Sequence, residues 1–170
     1  MVENVNHISV CICTFKRPHL LRRAMEELEH QQTEKSFTYS VVIVDNDRMQ
    51  SAKKTVAEYA KESAVKIIYC VEPEQNIALA RNKAVKKSEG DFIAFIDDDE
   101  YPANDWLCNL WKAYKTYRVT GVLGPVRPYF EHEPPEWAIK GKFFDRPIYD
   151  TGYKMDWTET RTGNVLFERR

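Results

Sequence analysis

The feature of this sequence with the clearest chemical potential is an acidic run at residues 97–100, which reads DDDE. It follows the apolar residues 92–96, so its carboxylates should crowd together at the end of a buried strand, where they repel one another. Side chains alternate along an extended strand, which would place Asp97 and Asp99 on the same side. Paired carboxylate oxygens suit Mg²⁺ or Mn²⁺. The acidic run therefore predicts a divalent metal site. A solvated loop in which Asp99 or Glu100 caps the next helix is the competing interpretation.

Two further polar clusters follow apolar runs, at residues 14–17 and 45–47. In an open α/β sheet, ligands bind where the carboxyl ends of parallel strands meet, so we expect both clusters to lie beside the acidic run. Two roles remain open for Asp45: it could accept a hydrogen bond from a nucleobase, or it could cap a turn ahead of Ser51. The candidate binding side chains in these clusters are Thr14, Phe15, Lys16, Arg17 and Asp45.

The sequence offers no glycine-rich loop for binding a phosphate. It has six glycines and contains neither GxGxxG nor GxxxxGK[ST], the patterns that cradle phosphates in dinucleotide-binding and P-loop proteins. A divalent ion between Asp99 and a diphosphate would offset the charge on a leaving nucleoside diphosphate. Arg81 and Lys16 could screen the same charge, although Arg81 is also explained as an ordinary surface residue of a helix.

Apolar runs alternate with helical patterns along the chain, which is typical of an α/β fold with a mostly parallel central sheet flanked by helices. The nearly continuous apolar run 92–96 suits a strand that is covered on both faces. The predicted strands are residues 7–13, 39–44, 65–70, 91–96, 119–126 and 162–167, and the predicted helices are residues 18–32, 51–60, 77–87 and 104–117. We expect one domain over residues 1–170, with a core at 5–127 and an irregular region at 128–170.

Composition excludes several classes of protein. With 25 basic and 26 acidic side chains the net charge is -1, whereas nucleic-acid binders usually carry a basic excess. Cys11, Cys13, Cys70 and Cys108 form no CxxC pair and are expected to be free, largely buried thiols. The polar residues 1–7 do not resemble a leader, and no segment is long enough to span a bilayer. These features predict a cytoplasmic protein.

Five short motifs occur in a characteristic order: VCICTFKRP at 10–18, VIVDND at 42–47, NIALARN at 76–82, FIDDDE at 95–100 and TGN at 162–164. Together they resemble the family-two glycosyltransferases, inverting enzymes of the Rossmann-like GT-A fold that use nucleotide sugars. The resemblance spans nearly the whole chain. It implies a nucleotide-sugar site formed by Thr14, Phe15, Lys16, Arg17, Asp45, Arg81, Asp97 and Asp98, and Mn²⁺ or Mg²⁺ bound by Asp99 with Asp97.

More specific roles follow from the resemblance. Thr14 and Asp45 would contact the nucleoside, Arg81 would lie near the base or diphosphate, and Asp97 would face the ribose. Asp98 could share the metal with Asp99.

The implied activity is metal-dependent transfer of a sugar, with inversion, from a UDP- or GDP-sugar to a hydroxyl of a glycan or lipid-linked acceptor. The reaction would serve cell-surface glycan or polysaccharide synthesis, in the cytoplasm, with peripheral association at the inner face of the membrane left open. Two alternatives are a sugar nucleotidyltransferase, for which a glycine-rich loop after the first strand is expected, and a non-catalytic nucleotide-sugar-binding or interaction module.

The sequence departs from the family pattern in two places. Ala78 stands where the commoner form has glycine, a small change that favours a helix. Family members also continue past residues 162–164 to an acidic general base, and Asp156 and Glu159 precede that motif and do not match the base. We therefore interpret residues 1–170 as the N-terminal portion of a catalytic domain, without its general base.

Overall fold

The fold is built on a six-stranded sheet. The computed structural model describes residues 5–169, so residues 1–4, part of the polar N-terminus discussed above, and Arg170 lie outside it. The strands are β1 (His7–Thr14), β2 (Thr38–Asp45), β3 (Ile67–Val71), β4 (Phe92–Phe95), β5 (Gly121–Leu123) and β6 (Val165–Glu168), and the helices are α1 (Pro18–Glu29), α2 (Lys53–Tyr59), α3 (Ile77–Lys87), α4 (Trp106–Tyr117) and α5 (Glu136–Lys140).

The strand order is β3-β2-β1-β4-β6-β5. The pairs β1–β2, β1–β4 and β2–β3 are parallel, whereas β6 runs antiparallel to both β4 and β5. The predicted α/β fold, with a mostly parallel sheet flanked by helices, is confirmed. The register pairs Thr14 with Asp45 and Asp45 with Val71, so the last residues of β1, β2 and β3 lie side by side.

Helices cover both faces of the sheet. One apolar cluster joins the sheet to α1, α2 and α4, and a second joins it to α3 through Ala80 and Ala84. The α1 helix buries Leu21, Met25 and Leu28 against the sheet. Phe92 of β4 packs edge-on against Trp111 of α4, with ring centroids 5.0 Å apart. Burial on both faces explains why β4 is apolar throughout.

The last two strands are shorter than predicted. β5 contains three residues instead of the eight at 119–126. Its pairing with β6 ends at Leu123, and Pro125 lacks an N–H for any further ladder hydrogen bond. β6 begins at Val165 and lies between β4 and β5, and its Leu166 is fully buried. The core is therefore not confined to residues 5–127.

Among residues 5–169, no helix is long and apolar enough to cross a membrane. All four cysteines are free; Cys70 is half-buried and the other three are buried. Burial raises the pKa of the Cys11 thiol to about 12. This thiol is therefore protonated at neutral pH and packs as an apolar group.

Candidate functional site

A cleft of about 290 Å³ opens at the carboxyl ends of β1 and β2. The predicted cluster at 14–17 forms one wall, and the start of α3 forms the other. This is the edge at which ligands bind in open α/β sheets. The lining residues are Cys13, Thr14, Phe15, Arg17, Asn46, Gln75, Asn76 and Ile77.

The acidic run lies beside this cleft, but it does not continue the strand. β4 ends at Phe95, and the Glu100 N–H donates to the Asp97 carbonyl over 3.1 Å, which closes a turn. The expectation that strand alternation positions the side chains of the acidic run is therefore wrong. The turn nevertheless separates the side chains: those of Asp97 and Asp99 are 44% and 50% exposed, whereas that of Asp98 is fully buried.

Asp98 points into the protein, where both its oxygens accept hydrogen bonds. The Thr14 hydroxyl donates to Oδ2 over 2.6 Å, Arg17 Nε donates to the same oxygen over 3.2 Å, and Arg17 NH2 donates to Oδ1. Burial raises the pKa of the Asp98 carboxyl, while Thr14 and Arg17 oppose that shift. The sequence prediction placed Asp98 in the nucleotide-sugar and metal site. In the structure its side chain is buried and links Thr14, at the end of β1, to the acidic run.

Asp97 and Asp99 each pair with an arginine. Arg81 NH2 lies 3.2 Å from Asp97 Oδ1, and Arg17 NH1 lies 2.9 Å from Asp99 Oδ2. The structure thus joins four predicted site residues in one network, Thr14, Arg17, Asp98 and Asp99, and pairs two others, Arg81 and Asp97, next to it. Because these ion pairs are partly exposed, each contributes little to folding stability. Their arginines can therefore exchange partners at low cost.

The donor set fits a divalent ion that is shared with a phosphate ligand. Asp97 and Asp99 present hard carboxylate oxygens beside the cleft. No group of three or more His, Cys, Asp or Glu side chains suited to a metal occurs within residues 5–169. Proteins commonly hold Mg²⁺ with one or two carboxylates and complete its coordination with substrate phosphates and water. Two exposed aspartates next to an open cleft match that arrangement.

Asp45 is fully buried and holds the loop after β2. Its Oδ1 accepts from the Asp47 N–H over 3.0 Å, and its Oδ2 accepts from the Ala52 N–H over 2.8 Å and the Tyr69 hydroxyl over 2.9 Å. These contacts match the turn-capping role, one of the two left open by the sequence. Asn46, the next residue, lines the cleft instead.

Sequence reasoning missed the structural roles of two asparagines. Asn46 Nδ2 donates to the carbonyls of Glu72 and Glu74, and its Oδ1 accepts from the Asn76 N–H. The Asn76 side chain in turn accepts from the Ala78 and Leu79 N–H groups at the start of α3. Asparagine directly before a helical pattern is a standard N-cap signal and could have identified Asn76. Ala78, the residue that departs from the commoner family pattern, lies in the first turn of α3.

Sequence reasoning also missed the role of Glu100, whose carboxylate accepts a hydrogen bond from the Asp97 N–H over 3.2 Å. Burial, reinforced by the Asp97 and Asp99 carboxylates, raises the pKa of Glu100 to about 7. Gly163 packs against the same acids, because a Cβ at this position would lie 3.1 Å from Asp97 Oδ2 and from Glu100 Oε1. Glycine thus lets the backbone ahead of β6 approach the acidic run closely. No local sequence signal links Gly163 to residues 97–100.

Comparison with known proteins identifies the family. The model of glycosyl transferase family 2 matches residues 9–165. The chain belongs to this family. Family 2 membership, together with the glycine-free loop between β1 and α1, removes the support for a sugar nucleotidyltransferase.

One relative of this family 2 chain is the succinoglycan biosynthesis protein ExoM of Rhizobium meliloti, 35% identical over 99% of this chain and 54% of the relative. Another is the putative glycosyltransferase EpsH of Bacillus subtilis, 26% identical over 80% of this chain and 42% of the relative. The chain thus spans about half the length of these relatives. The resemblance to family-two glycosyltransferases, drawn from five motifs, is confirmed.

Solved structures share the fold. S. aureus TarS 1-349 superposes with a TM-score of 0.69 at 18% identity, over 96% of this chain and 47% of that one. The mannosyltransferase PcManGT of Pyrobaculum calidifontis, in complex with GDP-Man and Mn²⁺, gives a TM-score of 0.63 at 22% identity, over 74% of this chain and 37% of that one. Because these sequence identities are low, the structural similarities establish only the fold of this family 2 chain, which is GT-A.

Of the remaining predicted residues, Phe15 lines the cleft and Lys16 does not. Lys16 is exposed, adopts a left-handed φ of 55° and places its Nζ 5.0 Å from the centre of the Phe15 ring. Glu159 accepts hydrogen bonds from the Tyr149 hydroxyl over 2.7 Å and from the Asp156 N–H over 2.7 Å. These contacts give Glu159 a turn-forming role and provide no reason to promote it to general base.

Proposed function

We propose that this family 2 chain binds a nucleoside-diphosphate sugar, a UDP- or GDP-sugar, in the cleft at the ends of β1 and β2. The sugar would be transferred with inversion to a hydroxyl of a glycan or lipid-linked acceptor, with Mn²⁺ or Mg²⁺ as cofactor. The observation that carries the proposal is the arrangement of the acidic run, with Asp97 and Asp99 exposed beside the cleft and Asp98 buried beneath them.

Each protein group has a specific task in this proposal. Asp99, with Asp97 beside it, holds the divalent ion, which supplies positive charge next to the departing diphosphate. Arg81 and Arg17 lie within hydrogen-bonding distance of these aspartates and add further positive charge on the diphosphate side. Thr14 and Asp45 serve the nucleoside end, Asp45 through the loop that it holds in place.

Inversion corresponds to a single displacement. The acceptor oxygen attacks the anomeric carbon as the bond from that carbon to the diphosphate oxygen breaks, and the acceptor proton passes to a general base. We assign this base to none of residues 5–169. The protein's part in the step is to orient the donor and to stabilise charge on the leaving group.

Several relatives support this substrate class and setting. The solved structures include a complex of TarS with UDP-GlcNAc and a complex of PcManGT with GDP-Man and Mn²⁺, and the name of ExoM places it in succinoglycan biosynthesis. We extend from these to a nucleotide-sugar donor, a divalent cofactor and cell-surface polysaccharide synthesis. The proposed location is the cytoplasm, with peripheral contact at the inner face of the membrane.

Calorimetric titration of UDP and of GDP, with and without Mn²⁺, tests the donor site. Asp99→Ala should abolish the Mn²⁺-dependent binding, because it removes a carboxylate that holds the ion. Asp91→Ala is the matched control, since Asp91 immediately precedes β4 at its opposite end. Nucleotide binding by the control should equal that of the wild type.

The outcomes separate the parts of the proposal. If neither nucleotide binds the wild-type chain under any condition, the donor site is refuted. If a nucleotide binds equally well without Mn²⁺ and in Asp99→Ala, the donor site stands and metal dependence is refuted.

A further inference from the structure

Arg17 joins a buried carboxylate to an exposed one. Its Nε and NH2 atoms, which form one edge of the guanidinium, donate to Asp98, and its NH1 atom on the other side donates to Asp99 over 2.9 Å. The Asp98 side chain is fully buried, whereas that of Arg17 is 44% exposed and lines the cleft. One side of the guanidinium thus binds a buried carboxylate, and the other side binds an exposed one.

The two ion pairs that Arg17 forms differ in strength. A buried carboxylate that loses its counter-charge is strongly destabilising, so the Arg17–Asp98 pair should persist whatever binds nearby. The Arg17–Asp99 pair is exposed to solvent on both sides and is worth little. A ligand that competes for Asp99 therefore breaks the second contact and leaves the first intact.

The main chain restricts how Arg17 can respond. Arg17 is the N-cap residue of α1, its carbonyl accepts from the Leu21 N–H over 3.1 Å, and Pro18 follows it. The preceding residue, Lys16, adopts a left-handed φ of 55°. Because the backbone is held on both sides, any change of partner is confined to the Arg17 side chain.

We propose that Arg17 is an internal counter-cation that Asp98 positions, and that it couples metal binding to nucleotide binding. Without a metal, NH1 of Arg17 neutralises Asp99. With Asp99 holding a divalent ion, NH1 of Arg17 would be free to donate to the diphosphate of the nucleotide. Asp98 is thus a positioning residue that acts through Arg17. The inference rests on the proposed donor site and assigns the middle aspartate of the acidic run a role outside the metal shell.

The proposal predicts effects of opposite sign for a single substitution. Arg17→Gln should tighten binding of Mn²⁺ alone by about threefold, because a partly exposed competing ion pair is lost. The same substitution should weaken binding of the nucleotide in the presence of Mn²⁺ by about tenfold, because a charge-assisted hydrogen bond to the diphosphate is lost. A purely structural role for Arg17 would weaken both.

The experiment measures Mn²⁺ alone by electron paramagnetic resonance of the free ion, and UDP or GDP with saturating Mn²⁺ by calorimetry. Arg22→Gln is the matched control, since Arg22 lies on the same helix, pairs with Glu26 in solvent and should leave both affinities unchanged. Arg17→Gln leaves Asp98 buried without a cation. The double variant Arg17→Gln with Asp98→Asn removes both charges. It replaces the single variant in both measurements if the single variant does not fold.

The possible results are distinct. Tighter Mn²⁺ binding together with weaker nucleotide binding, in either folded variant, supports the coupling. Unchanged or weaker Mn²⁺ binding, or unchanged nucleotide binding, in a folded variant overturns it while the donor site stands. If the wild-type chain binds neither Mn²⁺ nor nucleotide, the proposed function fails and the coupling fails with it.

Discussion

Aspartates at the carboxyl ends of the strands and aspartates in the segment 124–164 differ in burial and in the range of their hydrogen bonds. At the strand ends, Asp45 and Asp98 are fully buried, and each accepts a hydrogen bond from another strand: Asp45 from the Tyr69 hydroxyl, and Asp98 from the Thr14 hydroxyl, 84 positions away. Within 124–164, only Ala138 and Gly163 are buried. There Asp156 accepts from Thr158, two residues away. The sheet therefore fixes the strand ends, whereas much of the hydrogen bonding in the segment is local.

Two tryptophans give the largest expected contrast between these regions. Trp106 of α4 is 8% exposed and its Nε1 donates to Asn164 Oδ1 over 2.7 Å. Trp106→Ala should lower the free energy of unfolding by about 3 to 5 kcal/mol, because it leaves a cavity in the core. Urea unfolding monitored by circular dichroism measures the loss. A loss comparable to that of an exposed tryptophan would mean that α4 is not part of the cooperative core.

The same contrast explains what the sequence could predict. Strands β1, β2 and β4 are recognisable from apolar runs, because burial on both faces requires one. The half-buried edge strand β3 is also marked by an apolar run. The position of β6 between β4 and β5 was not recognisable, since it depends on pairing between Phe95 and Val165, far apart in the chain. The sequence predicted that strand alternation places Asp97 and Asp99 on the same side. A turn, not strand alternation, turns Asp98 inward, and its partner Arg17 becomes visible only in three dimensions.

Two aspartates that each hold a turn provide the next contrast. Asp45→Asn should lower the free energy of unfolding by about 2 kcal/mol, because an amide cannot accept all the hydrogen bonds that the buried carboxylate receives. Asp156→Asn, at an exposed turn within 124–164, should produce no measurable change. Urea unfolding of both variants makes the comparison. Equal losses would show that the segment is held as firmly as the strand ends.

Two glutamates should respond to pH in opposite directions. Burial raises the pKa of Glu100 to about 7 from 4.5, so its contribution to stability is fully present below 4.5 and is lost as the pH rises through 7. Glu100→Gln should therefore be more stable than the wild type above pH 7, by about 1 to 3 kcal/mol, and should show no such gain below pH 4.5. Thermal unfolding in EDTA across this range measures the difference.

Glu159 is the counterpart of Glu100 in the segment. The hydrogen bond from the Asp156 N–H, and that from Tyr149, hold the pKa of Glu159 below its usual value. Its contribution to stability is therefore present above that value and is lost as the pH falls through the lowered pKa. Glu159→Gln should not be stabilising at any pH. A stabilising effect above neutral pH would contradict the assigned contacts.

The smallest expected effect is at Trp157, the exposed counterpart of Trp106. Its side chain is 81% exposed, so Trp157→Ala removes almost no packing and should change the free energy of unfolding by less than about 0.5 kcal/mol. Urea unfolding tests this directly, and iodide quenching of fluorescence provides an independent check. Quenching should fall in Trp157→Ala, because an accessible indole is lost, whereas the emission from buried Trp106 and Trp111 should persist. A loss of stability similar to that of Trp106→Ala would mean that residues 124–164 are packed against the sheet in solution.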